Sequence, residues 1–247
     1  MSFADHFSGH SPDYAAHRPD YPEALFSWLA AIAPGAGVAW DCGCGSGQAA
    51  GGLAHFFPLV AATDPSLSQL RHAQPAPGVA YACCKAEASP LPSGRINLIA
   101  VAQALHWFDL EQFYREALRV LAPEGVLAVW SYGEVSVDAA ADAVIGHFYH
   151  DVVGPYWPPQ RRHVENGYRD LPFPFAELPV PQLKMAKSWS LEQVVAYIGT
   201  WSATQRFMAA TGADPLPELR RSLASVWGDV PVREVVWPMT IRAGKPV

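Results

Sequence analysis

Two rhythms of apolar residues alternate along the first half of this chain. Short, mostly apolar runs at about 37–42, 59–63, 79–84, 96–102 and 125–131 are separated by stretches whose apolar positions recur every three or four residues. Runs of that length predict strands, and Ile96 to Ala102, apolar apart from Asn97 and without alternation, predicts one buried on both faces, with 125–131 a further buried strand. Between the runs, Pro22 to Ala33 predicts a helix, with Leu25, Trp28, Leu29 and Ile32 on one side and Pro22 suited to a first turn. Gly47 to Phe57 predicts the next helix, with Leu53, Phe56 and Phe57 toward a sheet, and Pro65-Ser66 opens another through about His72. Leu110 to Leu121 predicts an amphipathic helix ended by Pro123 and Gly125. Strands and helices in strict alternation with short connections predict a doubly wound α/β fold. Its sheet would be parallel, with right-handed crossovers and helices on both faces.

Beyond Glu134 the pattern changes. Asp138 to Val153 reads as helical. Gly154 to Pro181 then holds seven prolines together with Tyr156, Trp157, Tyr168, Phe173 and Phe175. That stretch is too proline-rich for regular structure and too aromatic for a linker, which predicts an ordered cap over the strand ends. Leu191 to Ala210 and Pro215 to Trp227 read as helices, and Val232 to Ala243 as a closing strand. The expected organisation has three parts. Residues 1–134 form an N-terminal segment and a nucleotide-type core. Residues 135–230 form a cap or recognition insertion that includes an edge strand, and 231–247 close the sheet.

Composition narrows the function. With 247 residues, half of them hydrophobic and 16% charged, the chain can bury a sizeable core. A net charge of −6 with no cluster of Lys and Arg argues against a nucleic-acid partner. No apolar run reaches the length of a membrane span, and the N-terminus lacks the regions of a signal peptide, so a cytoplasmic protein without a membrane partner is expected. Cys42, Cys44, Cys83 and Cys84 have C-x-C and C-C spacings that fit neither a zinc finger nor a redox C-x-x-C pair. Buried reduced thiols and no metal are expected.

The candidate chemistry lies at the strand ends. Val38 to Asp41 is followed by Cys42-Gly43-Cys44-Gly45-Ser46-Gly47, with glycines at every second position and then a helical pattern. Such a turn lets backbone approach a ligand, and the helix after it offers unpaired N–H groups. The second run ends in Asp64, where a nucleotide-type fold places a ribose-binding acid. Asp41, Asp64, Glu87 and Gln103 all fall at or just past predicted strand ends, where ligands of such folds bind. A dinucleotide frame passes formally at Gly45-x-Gly47-x-x-Ala50, but Asp41 would repel a pyrophosphate and suits a cationic ligand instead. Asp64 would accept the ribose hydroxyls, and Asp41 would orient the turn or attract an ammonium group.

The run D-x-G-x-G-x-G with an acid after the second strand resembles motif I and its partner in the class I S-adenosylmethionine-dependent methyltransferases. Tyr14-x-x-x-Arg18-Pro19-x-Tyr21-Pro22 resembles the N-terminal segment of the small-molecule branch, methyltransferase type 11. Lys85-Ala86-Glu87-x-x-x-Leu91-Pro92 and Ala102-Gln103-Ala104-Leu105-His106-Trp107-Phe108 resemble the stretches after strands three and four. Thr200-Trp201-Ser202-Ala203 resembles a segment of the trans-aconitate methyltransferase-like proteins. The resemblance is strong over roughly residues 10 to 133 and thin beyond. It implies a seven-stranded sheet with an antiparallel last strand.

The resemblance also implies S-adenosyl-L-methionine as cofactor, held by Tyr14, Arg18, Asp41, Gly43, Gly45, Asp64, Ala86, Glu87 and Gln103. Tyr14 and Arg18 would face the methionine carboxylate, Ala86 and Glu87 the adenine, and Gln103 the methionine part through its backbone or amide. The acceptor would be a small molecule, a carboxylate being a candidate, met by His106, Trp107, Trp157 and Trp201. His106 is the one acid or base near the methyl position, needed only if the acceptor carries a proton at working pH. Arg161, Arg162 and Arg206 read better as solvated surface than as anion ligands. The alternatives are an NAD(P)-dependent oxidoreductase and a non-catalytic S-adenosylmethionine-binding protein, and the chain is expected as a monomer or homodimer.

Overall fold

The structure is a computed structural model that describes residues 19–35 and 37–247. Helix α1 (Glu23–Ile32) leads into β1 (Val38–Cys42), α2 (Gln48–Leu53), β2 (Leu59–Asp64), α3 (Leu67–Arg71), β3 (Val79–Cys83), β4 (Ile96–Ala102), α4 (Leu110–Val120) and β5 (Leu121–Tyr132). The sheet runs β3-β2-β1-β4-β5 in parallel, then continues through the antiparallel β8 (Arg233–Lys245) to β6 (Ala176–Glu177). The first half of β8 pairs on its far edge with β7 (Lys184–Trp189). Strand order reverses between β1 and β4, so the crevice at their carboxyl ends is where a fold of this kind receives a ligand.

Alternate residues of the buried strands feed two different cores. Ala39, Val60, Leu98, Ala100, Val126, Ala128 and Trp130 pack with Leu25 and Leu29 of α1 and Leu53 of α2. Trp40, Ile99, Val101, Leu127 and Val129 pack on the opposite face with Phe113, Ala117 and Val120 of α4. Burial on both faces explains why β4 and β5 read as almost wholly apolar, whereas β3, at the sheet's edge, buries none of its residues fully. A third core binds the later helices to the far end of β8. These helices are α5 (Ala139–His147), a π turn (Phe148–Val152), α7 (Leu191–Gly199), α8 (Ser202–Thr211) and α9 (Leu216–Trp227), whereas α6 (Arg161–Glu165) packs through Val164 into the core of Trp40 and Phe113. Its centre is Ile145, Tyr197, Trp201, Leu223, Trp227 and Trp237.

The structure departs from the periodicity in a few places, each with a physical cause. Helix α2 stops at Leu53, six residues long, because Gly51 and Gly52 weaken it and Pro58 blocks it. Gly52 is required there: a Cβ would lie 2.1 Å from the Phe26 ring of α1. Pro123 and Gly125 do not cap α4 from outside. The chain enters β5 directly at Leu121 and bulges at Glu124, whose φ is 62°. The predicted helix 191–210 is two helices broken at Thr200-Trp201.

The proline-rich stretch divides. Tyr156 and Trp157 join the helical layer, whereas Tyr168, Phe173 and Phe175 run back beneath the sheet to pack near Tyr114. Among the thiols, Cys42 and Cys44 are buried as expected, but Cys83 is exposed because it ends a strand on the sheet's edge. No helix among the described residues is long and apolar enough to cross a membrane.

Candidate active site

The glycine turn after β1 is built on left-handed backbone. Gly43, Gly45 and Gly47 have φ of 72°, 54° and 86°. The turn is anchored to the next strand by Gly43 and Cys44, whose N–H groups both donate to the Thr63 carbonyl, at 2.8 and 2.9 Å. The glycines differ in what crowds them. A Cβ on Gly43 would lie 2.8 Å from that of Ala104, and one on Gly47 only 2.3 Å from the Tyr81 hydroxyl. One on Gly45 would meet nothing closer than Gln69 Oε1 at 3.9 Å. Among the described residues Gly45 therefore faces open space, as a cradle for a ligand requires.

Two acids hold this turn. Asp64 accepts the Gly45 N–H at 2.9 Å through Oδ2 and the Ser66 N–H at 2.8 Å through Oδ1. Ser66 in turn caps α3 by accepting the Gln69 N–H. Asp41 is fully buried at the end of β1, and neither carboxylate oxygen has a hydrogen-bond partner among the described residues. Burial pushes its carboxyl up to about 7; the nearby Ala50 backbone N–H opposes the rise and the Asp64 charge adds to it. A buried carboxylate with no donor nearer than that is costly to ionise, and a cation nearby would relieve that cost.

Glu87 and Gln103 are engaged in ways their sequence context does not disclose. Glu87 accepts the Asp109 N–H at 2.8 Å, joining the loop after β3 to the start of α4. Its neighbour Ala86 is buried. The Gln103 amide is committed to one residue of the adjacent strand. Its Oε1 accepts the Tyr132 N–H at 2.9 Å, and its Nε2 donates to the Tyr132 carbonyl at 3.5 Å. The Gln103 backbone N–H is engaged as well, donating to the Trp130 carbonyl at 2.8 Å, so of the backbone route only the carbonyl stays uncommitted among the described residues. Gln103 also has a φ of 56°, a left-handed conformation costly for a side chain that is not glycine.

His106 sits on the short turn Leu105–Trp107 after β4, against the Trp107 ring. Its Nδ1 lies 2.9 Å from the Tyr168 hydroxyl. Tyr168 is buried, also has left-handed backbone (φ 59°), and is the partner that sequence reasoning missed. Burial pulls the His106 imidazole down to about 3, assisted by the charges of Arg161 and His163. It is therefore neutral and a very weak base.

Trp157 and Trp201 come together, their ring centres 5.7 Å apart, with Tyr149 packed against both. Trp201 is buried and Trp157 half-buried. Arg161, expected at the surface, has a side chain only 17% exposed. Its Nε donates to the Tyr149 hydroxyl at 2.8 Å and its guanidinium lies over the Trp157 ring. The sole sequence signal at Arg161 was the pair Arg161-Arg162, which does not say which member turns inward. Tyr14 and Arg18 lie outside the described residues.

A family model described as a methyltransferase domain, of the type 11 kind, matches residues 40–129, from β1 to β5. A protein of Dictyostelium discoideum described as a "Putative methyltransferase" is 34% identical over 251 residues, spanning 98% of this chain and 95% of its own length. A solved structure from Anaeromyxobacter dehalogenans, described as a "Putative Type II Methyltransferase", has a TM-score of 0.87 at 47% identity. It covers 93% of this chain and 99% of that one. The N-methyltransferase 2 of Haemonchus contortus, solved with phosphomonomethylethanolamine and S-adenosylhomocysteine, shares the fold at 14% identity and a TM-score of 0.50, over 100% of this chain and 61% of that one. By sequence along its whole length and by the architecture of its strand ends, the chain belongs to the type 11 family of class I S-adenosylmethionine-dependent methyltransferases.

Proposed function

We propose that this protein binds S-adenosyl-L-methionine at the carboxyl ends of β1 to β4 and transfers its methyl group to a small-molecule acceptor. The observation that carries the reading is the pairing of the Gly45 cradle with the unpartnered buried carboxylate of Asp41. The open side of Gly45 fits close backbone approach by a ligand, and Asp41 fits a cationic one. When bound, the cofactor supplies a methyl group already activated on a sulfonium. The residues of this chain would bind, orient and enclose. Asp41 would draw the ammonium group, Asp64 would accept the ribose hydroxyls while fixing Gly45, and Ala86 and Glu87 would flank the adenine. Gln103 would present its backbone carbonyl, and Tyr14 and Arg18 would meet the methionine carboxylate.

Methyl transfer is an in-line displacement, so alignment and exclusion of water can supply most of the acceleration. Burial disfavours the imidazolium of His106, which makes it a weak base. This favours an acceptor that reaches the site already ionised, such as a carboxylate, with His106 and Trp107 shaping the mouth of the pocket. The Asp41 carboxylate speaks against a dinucleotide, as a pyrophosphate would be repelled there.

The test is calorimetric binding and thermal stabilisation with S-adenosylmethionine, S-adenosylhomocysteine, NADH and NADPH, repeated on Asp64→Ala. A ligand of the native state at about 100 times its Kd raises stability by roughly 2.7 kcal/mol. Binding of the two sulfur nucleosides, weakened in the variant, is the expected result. Binding of a nicotinamide nucleotide in their place would overturn the reading.

A further inference from the structure

We propose that Arg161 anchors an anionic group on the methyl acceptor, and that the acceptor joins this anion to a flat apolar body. The inference rests on the methyltransferase reading and names the class of acceptor.

The guanidinium is fixed but underused. Its Nε is taken by the Tyr149 hydroxyl, and its plane is held 4.8 Å from the Trp157 ring centre and 5.6 Å from that of Tyr149. Nη1 and Nη2 donate to no group among the described residues, although the side chain is only 17% exposed. A guanidinium held in one orientation, partly removed from water and with its two terminal nitrogens unpaired, is a ready-made fork for a carboxylate. Arg162, one residue on, is exposed and has no such surroundings.

Its place in the fold suits an acceptor. Helix α6 packs against the turn Leu105–Trp107 that follows β4. The Arg161 charge is felt at His106 after β4, at Glu134 after β5 and at the Tyr168 hydroxyl bonded to His106. Arg161 thus overlooks the strand ends beside the glycine turn, where a methyl acceptor has to arrive.

Two carboxyls stand near, and neither satisfies it. Glu165 comes no closer than 3.9 Å to Nε, is about half exposed, and accepts the Tyr149 hydroxyl. Burial pushes Glu134 upward, toward its neutral form. The apolar wall is aromatic. Trp157 offers a half-buried ring, backed by the buried rings of Tyr149 and Trp201. The π turn Phe148–Val152 that carries Tyr149 fits a segment shaped for a site rather than for helix continuity.

The experiment titrates phenylacetate, phenylacetamide and phenethylamine calorimetrically into the protein, with and without saturating S-adenosylhomocysteine. The wild type is expected to bind the carboxylate at least about tenfold tighter than the amide, a difference of roughly 1.4 kcal/mol. Arg161→Gln should bring that ratio to about one while leaving the amide affinity in place, and Arg161→Lys should keep part of the preference. A purely structural Arg161 would instead lower the melting temperature and leave the ratio unchanged. A ratio near one in the wild type, no binding of any of the three, a preference for the amine, or a preference that survives Arg161→Gln each overturns the inference. Nucleoside binding without an anion preference would sink the anion site alone. An Arg161-dependent preference without nucleoside binding would sink the methyltransferase reading instead.

Discussion

Asp64 and Gly45, nineteen residues apart, are tied by a 2.9 Å hydrogen bond from the glycine N–H to the carboxylate. The acid at the end of β2 thereby holds the turn at the end of β1, reinforcing the bonds from Gly43 and Cys44 to the Thr63 carbonyl. Removing it should cost both shape and affinity. Asp64→Ala is expected to lose about 1–3 kcal/mol of stability, as hydrogen bonds to charged groups do, and more than tenfold in S-adenosylmethionine affinity. A denaturant titration and a calorimetric titration read the two effects separately. Equal affinity in wild type and variant would show that Asp64 serves the turn alone.

Gly45 and Gly47 should respond differently to the same substitution. Gly45→Ala places a methyl group where no described residue crowds it, so the left-handed strain of about 1–2 kcal/mol is the cost added. Its principal effect is then on cofactor binding. Gly47→Ala drives a methyl group to 2.3 Å from the Tyr81 hydroxyl, which is itself held by the Gln74 carbonyl, and should destabilise the fold. Melting temperatures and Kd values of the two variants, compared side by side, check the contrast.

Asp41 gives stability an uncommon pH dependence. Its carboxyl rises from 3.8 to about 7 on folding, so the native state binds a proton more tightly than the unfolded chain. Its contribution is greatest below pH 3.8 and declines as pH rises to about 7, where it levels off. Asp41→Asn should flatten this part of the profile. A cationic cofactor favours the ionised carboxylate, so its affinity should fall as pH drops below 7 in the wild type but not in Asp41→Asn. Urea melts and calorimetry across pH 4 to 8 measure both.

Glu116 acts in the opposite direction. It accepts the Ser89 N–H and hydroxyl and pairs with Arg119, and these contacts hold its carboxyl down at about 2. Its contribution is complete above about 4.5, the unfolded value, and is lost as pH falls toward 2. Glu116→Gln should therefore lower stability at neutral pH, by about 1–2 kcal/mol given the partly exposed arginine. It should matter little at pH 2, and acid unfolding curves of the two proteins would show this convergence.

What the sequence disclosed and what it concealed follow from range. Ile96 to Ala102 and the turn after Asp41 were legible because burial on both faces and left-handed backbone leave marks at neighbouring positions. The Gln103–Tyr132 clamp and the His106–Tyr168 pair join residues 29 and 62 positions apart, and no local pattern records either. The proline-rich stretch misled for a related reason. Its aromatics look alike in sequence, yet Trp157 enters the helical layer while Phe175 enters the core beneath the sheet. Arg161 was concealed by its neighbour, since adjacent residues on one helical turn point in different directions and only the packing of α6 selects one.

The division of β8 has a consequence for how the molecule is assembled. Met239 to Gly244 complete the sheet beside β5, while Arg233 to Pro238 pair with β7 and, through Val236, with Ser136. A single strand is thus the seam of both layers, and every one of these pairings spans a long stretch of chain. On a ribosome, β1 to β5 can emerge and associate early, but their open edge and the helical layer must both wait for this strand. Non-local closure of this kind slows folding and leaves the β5 edge unguarded in the interval. A chain shortened before residue 233 would not merely lack an edge strand: it would lose the fastening between the sheet that carries the glycine turn and the helical layer built on Trp201, Trp227 and Trp237.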